Sequence, residues 1–153
     1  MIFSTKEDVE APIEHVFRMV SDFDGFERSA LRRGVEVRRK ETLTRPNAEM
    51  GWDIGFEFRN RMRRISAELV QYDPPNGLLF FTYGAGVTAN GMIDLVALSR
   101  ARTRISVSLD LKPTSLRGFL TVLSLNFVKS RLTYRLRTRV AKYSDVIENG
   151  YRP

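Results

Sequence analysis

Apolar and polar residues alternate through the middle of this chain and recur at spacings of three and four toward its two ends. The first segment, 2–10, is short and suited to a strand, and Pro12 stops it while fitting the first turn of a helix. From Ile13 the apolar residues Val16, Phe17 and Val20 trace one helical stripe. Ser21-Asp22 closes that helix and can cap the next, in which Phe23, Phe26, Ala30 and Leu31 form a second short stripe ending at Gly34.

Six strands are expected to follow. The first covers Val35 to Glu41 and leads to a turn at Thr44-Arg45-Pro46-Asn47. The next alternates most clearly: Trp52, Ile54, Phe56 and Phe58 take every second position, with Asp53, Glu57 and Arg59 between them. Met62 to Tyr72 runs into Asp73-Pro74-Pro75-Asn76-Gly77, the strongest turn signal in the chain. Leu78 to Tyr83 is an apolar run, Gly84-Ala85-Gly86 begins a reversal, and a strand is expected over Asn90 to Leu98. The last strand, Thr103 to Lys112, sets Ile105, Val107, Leu109 and Leu111 against Arg104, Ser106, Ser108 and Asp110 before Pro113 ends it.

After Pro113 the period changes. From Thr114 to about Ile147 there is no proline, and Gly118 is the one interruption. A helix of about 28–32 residues would span roughly 42–48 Å, enough to cross a sheet. Leu116, Phe119, Leu120, Leu123 and Phe127 lie on one stripe, continued by Tyr134; Leu125, Val128, Leu132, Leu136 and Val140 lie on another. The expected architecture is therefore α+β in the order β-α-α-β6-α. Seven antiparallel strands form a curved sheet around one long C-terminal helix over about 114–147, and residues 1–153 form a single domain.

Composition fits this picture. The chain has 153 residues, 42% of them hydrophobic, which suffices for a packed core. Cysteine is absent, which removes disulfides, a thiol nucleophile and thiolate metal sites. The first ten residues carry charge and contain no apolar signal-type stretch, and no window approaches a membrane span, so a cytoplasmic location is expected. The net charge is +7. Dispersed charge of this kind describes a basic surface more readily than a nucleic-acid site, since no nucleic-acid motif accompanies it.

Residues with reactive chemistry are sparse. His15 is the only histidine, so a catalytic triad and a multi-histidine metal site are not supported, and it is expected to face solvent. Gly84, Gly86 and Gly91 do not have phosphate-loop spacing and read as turn glycines. Asp53 and Glu57 would lie about 13 Å apart on the outer face of one strand, too far apart for a carboxylate pair. Asp94, between Ile93 and Leu95, reads as outward-facing, although an inward position would raise its pKa.

The strand-to-helix passage Val9-Glu10-Ala11-Pro12-Ile13-Glu14-His15-Val16-Phe17, followed by Val20-Ser21-Asp22-Phe23, resembles the opening of the helix-grip proteins of the SRPBCC (START-like) superfamily. Gly51-Trp52 before an alternating strand and Thr103-Arg104 opening the last one are similar to features of that superfamily. Within it the opening resembles polyketide cyclase/dehydrase-like and ubiquinone-binding-protein-like members. The resemblance implies a cavity between the concave sheet and the long helix that takes lipids, quinones, polyketides or similar molecules.

Ligand contacts are then expected from Trp52, Phe56, Phe58, Phe80, Tyr83, Phe119, Leu123 and Phe127, with Asn126 and Arg131 as polar orienting groups. Any of the aromatic residues could equally be core. No residue is assigned a catalytic or metal-binding role and no cofactor is required, so the expected function is binding, transport or sequestration of a hydrophobic small molecule. A cyclase or aromatase enzyme is the alternative in a second class, and a ribosome- or protein-binding module in a third. Lys129, Arg131, Arg135, Arg137, Arg139 and Lys142 on the helix, and Arg61, Arg63 and Arg64 on a strand, raise an anionic membrane surface as a partner, with nucleic acid behind it.

Overall fold

The computed structural model describes residues 1–151. Strand β1 (Ile2–Val9) leads through the buried Ala11 into α1 (Ile13–Val20) and α2 (Phe23–Arg32). Asp22 caps α2 by accepting a hydrogen bond from the Gly25 N–H at 3.1 Å. Six strands follow: β2 (Glu36–Arg39), β3 (Met50–Phe58), β4 (Arg61–Asp73), β5 (Gly77–Gly84), β6 (Val87–Ser99) and β7 (Arg102–Pro113). They form one seven-stranded antiparallel sheet in the order β1-β7-β6-β5-β4-β3-β2. Sequential hairpins build β2 to β7, and β1 closes the sheet against β7. The tight turn at Ala85 and Gly86 uses positive φ at both residues, as the type I′ form of a two-residue hairpin requires.

The C-terminal region differs from the single helix expected. It consists of α3 (Leu116–Asn126) and α4 (Lys129–Gly150). At the break, Phe127 N–H bonds to Ser124 O and Val128 N–H to Leu125 O, so the ladder shortens to i−3 partners over two residues. Neither glycine nor proline marks the position. The break follows from packing: α3 leans over β7 and β6, whereas α4 runs along β1 and touches α1. No described helix is long and apolar enough to cross a membrane.

Alternation sorts the sheet into two faces. Val9, Trp52, Ala67, Leu69, Leu78, Leu95 and Ile105 are buried on the inner face, where they meet Val16, Phe17 and Val20 of α1 and Ile147 of α4. Two polar ties hold this end. Thr103 Oγ1 donates to Ala11 O at 2.8 Å in a fully buried site, and the Tyr143 hydroxyl donates to Met19 O at 2.6 Å. Burial pushes the Tyr143 phenol up to about 12, with Asp22 adding to the effect. His15 differs from the solvent-facing position expected. It is half-buried, with Nε2 3.0 Å from Ile147 O and its ring 5.1 Å from that of Tyr151, so it joins α1 to α4.

Candidate functional site

The dense core occupies the α1 end of the inner face, and the rest of that face is covered less completely. Trp52 sits at the boundary, only 6% exposed, with Phe23 of α2 at 5.4 Å and Phe80 at 6.0 Å between ring centroids. Its indole N–H donates to Glu27 at 2.8 Å. Trp52 and Phe80 are therefore packed against Phe23, a residue that the sequence offers as part of a helical stripe with nothing to reveal its distant partner.

Beyond this cluster the inner face continues through Phe56, Phe58, Ile65 and Thr82, all half-buried, to Gly91 and Leu109. Leu109 lies on the inner face opposite Gly91 and Phe3 yet remains 36% exposed. Gly91 is not a turn residue, as its sequence reading expected, but sits within β6 between Phe80 of β5 and Leu109 of β7. A Cβ there would lie 3.7 Å from Leu109 and 3.9 Å from Phe80, both ordinary contacts. The missing side chain thus relieves no clash; it leaves volume free over the centre of the sheet.

Tyr83 is placed away from this surface. It pairs with Ser66 on the outer face, where its hydroxyl accepts from Lys40 Nζ at 2.8 Å, because Leu78 to Tyr83 alternates even though its run of apolar residues hides the period. The stretch after β2 folds over the same outer face and centres on Glu68, which is fully buried. Glu68 accepts from Thr44 N–H at 3.0 Å, Thr44 Oγ1 at 2.5 Å, Arg45 N–H at 3.1 Å and Lys40 Nζ at 3.4 Å. Burial pushes this carboxyl up, but the Thr44 hydroxyl, the two backbone N–H groups and Lys40 outweigh it and bring it down to about 2. The arrangement clamps a loop to the sheet.

The helix residues expected as ligand contacts also turn elsewhere. Phe119, Leu123 and Phe127 are 51%, 46% and 85% exposed, and Asn126 and Arg131 are exposed too. The side of α3 toward the sheet carries Gly118, Thr121, Val122 and Leu125. Gly118 sets this orientation: a Cβ at that position would fall 1.7 Å from Gly86 O, so only glycine lets α3 approach the β5–β6 turn this closely. Asp53 and Glu57 lie on the outer face as expected, with Asp53 accepting from Ser66 at 3.0 Å, and Asp94 is exposed.

Two basic surfaces flank the helices. A solvent-open groove of about 950 Å³ between α2 and α4 is lined by Arg32, Arg33, Arg135, Arg139 and Lys142 around Tyr143. A smaller recess of about 270 Å³ lies between the β3–β4 hairpin and α3.

No family model and no curated protein sequence matches the chain. Its fold, in contrast, is shared with solved structures over essentially its whole length. TTHA0849 from Thermus thermophilus is similar with a TM-score of 0.70 at 17% identity, covering 99% of this chain and 100% of that one. The Zhui aromatase/cyclase from Streptomyces sp. R1128 is similar with a TM-score of 0.64 at 12% identity, covering 99% and 96%. Norcoclaurine synthase from Thalictrum flavum, solved with dopamine and hydroxybenzaldehyde, gives a TM-score of 0.65 at 12% identity, covering 100% and 89%. The chain has the helix-grip fold, a seven-stranded antiparallel sheet packed against C-terminal helices, in common with these structures.

Proposed function

We propose that this protein binds a hydrophobic small molecule on the inner face of the sheet, beneath α3, and carries or sequesters it. The observation that supports this most directly is the glycine at position 91, which leaves apolar surface uncovered between Phe80 and Leu109 where a Cβ would meet only ordinary contacts. Burial of a ligand's apolar surface against Phe56, Phe58, Ile65 and Leu109 would supply the affinity, at about 25 cal/mol per Å² removed from water. Trp52 and Phe80 form the packed end wall of this site. Phe119, Leu123, Phe127 and Asn126 would reach a ligand only after α3 turns or shifts.

An aromatase/cyclase such as Zhui and norcoclaurine synthase share the fold, and the enzyme reading rests on that likeness alone. A second reading concerns unloading. The exposed Leu116, Phe119, Leu120, Leu123 and Phe127 sit beside Lys129 and Arg131, a combination that suits an anionic membrane surface.

The experiment is native mass spectrometry of freshly purified protein, with organic extraction of anything retained, followed by titration with a panel of neutral hydrophobic ligands. A stoichiometric lipid, quinone or polyketide supports carriage. An empty protein that rejects the whole panel overturns it in favour of a partner-binding module.

A further inference from the structure

We propose that the recess between the β3–β4 hairpin and α3 is an oxyanion site, and that the ligand is an amphiphile with one terminal carboxylate or phosphate. The inference rests on the hydrophobic-ligand reading above and specifies the ligand's polar end.

The recess is lined by Arg59, Arg61 and Arg63 from the hairpin and by Arg117, Leu120 and Thr121, with Ser124, from α3. Four arginines line it, with no carboxylate among the lining residues. Among the described residues none of the four is in an ion pair, whereas the neighbouring Arg64 on the outer face is paired with Glu36 at 3.4 Å. The Nε of Arg63 is buried and has no hydrogen-bond partner. The four like charges are uncompensated, and an oxyanion in the recess would relieve their mutual repulsion. Guanidinium forks suit a carboxylate or phosphate because they can donate two parallel hydrogen bonds.

Register connects the recess to the apolar surface. Arg63 pairs with Phe56, and Arg61 with Phe58, on the inner face of the sheet. Arg59 lies over the Phe58 ring, 5.1 Å from its centroid. The charged end therefore abuts the aromatic wall. Leu69, six residues beyond Arg63 on β4, is level with Phe80 and Gly91. At about 3.3 Å per residue, the path from recess to bare floor is roughly 20 Å, which suits a long-chain or extended polycyclic body.

The test compares oleate, oleyl phosphate and the neutral isostere oleyl alcohol by displacement of Nile red from the full chain and from Arg63→Met, Arg117→Met and the exposed-site variant Arg61→Gln. Either acid is expected to bind at least tenfold tighter than the alcohol. That gap, taken as the ratio of acid to alcohol affinity within each protein, should shrink in the variants. Equal affinity for acid and alcohol in the native chain overturns the oxyanion site but leaves hydrophobic binding intact. A gap that persists in every folded variant also overturns it. Failure of all three ligands overturns the hydrophobic-ligand reading and this inference together. Parallel flotation with phosphatidylglycerol vesicles addresses the remaining source of oxyanions: vesicle capture abolished by the same variants, with no binding of monomeric acid, overturns a single-ligand site in favour of surface attraction.

Discussion

Trp52 Nε1 donates a 2.8 Å hydrogen bond to Glu27, tying the inner face of β3 to α2. The same Glu27 oxygen accepts from Arg39 Nε at 2.6 Å, and Arg39 pairs with Trp52 across β2 and β3. Burial works against ionisation of Glu27, yet Arg39 and the indole N–H hold its carboxyl below the usual range. Glu27→Leu would leave the buried indole N–H without an acceptor. The expected loss is about 1–3 kcal/mol of stability, read by urea denaturation with the far-ultraviolet spectrum unchanged.

Filling the floor at Gly91 should separate binding from folding. At Gly91 an added Cβ meets Leu109 and Phe80 only at ordinary contact distance, so Gly91→Leu is expected to fold. Its affinity for Nile red should fall at least tenfold. Native-like dye binding by the folded variant would place the ligand somewhere other than over β6.

At Gly118 the opposite result is expected. Gly118→Ala would force the added methyl onto Gly86 O, so α3 must lift from the β5–β6 turn at a cost of about 1–3 kcal/mol. Faster amide hydrogen exchange confined to α3 would report the displacement, whereas unchanged exchange and stability would show that the close approach is not required.

The exposed stripe on α3 contributes little to folding in this arrangement. Replacing Phe119 and Leu123 together with serine should change stability by no more than about 0.5 kcal/mol per site, the range for exposed positions. Leu125→Ala, on the side turned to the sheet, should cost clearly more. Denaturation of the two variants in parallel checks the orientation of the helix.

Glu68 makes stability depend on acid pH. Its carboxyl titrates at about 2 in the folded chain against 4.5 ordinarily, so the folded state favours the ionised form. The resulting stability is complete above the unfolded value and is lost as pH falls from about 4.5 through about 2. Glu68→Gln should therefore be less stable than the native chain at pH 7, and the difference between them should narrow across that window. Denaturation of both proteins from pH 7 to pH 2 measures it.

The number of strands, their order along the chain and the antiparallel reversals between successive strands from β2 to β7 were legible in the sequence because alternation and turn chemistry are local; the pairing of β1 with β7 was not. Trp52, Ile54, Phe56 and Phe58 carry a period of two, and Asp73-Pro74-Pro75-Asn76-Gly77 marks a reversal without reference to distant residues. The two N-terminal helices and the Asp22 cap were legible for the same reason.

Tertiary structure decided which side of each element acquired a partner. The C-terminal segment carries two apolar stripes, and composition cannot say which one meets the sheet; the contact of Gly118 with Gly86 chose the Leu125 side. Tyr83 belongs to an apolar run with no visible period, and its face follows from pairing with Ser66. The break at Phe127 and Val128 has no breaker residue and arises from packing α3 and α4 against different strands. Arg61 and Arg63 were visible only as a charge cluster, whereas strand register placed them beside Phe58 and Phe56 under Arg117. Periodicity specifies that an element has faces; only long-range contacts specify what each face meets.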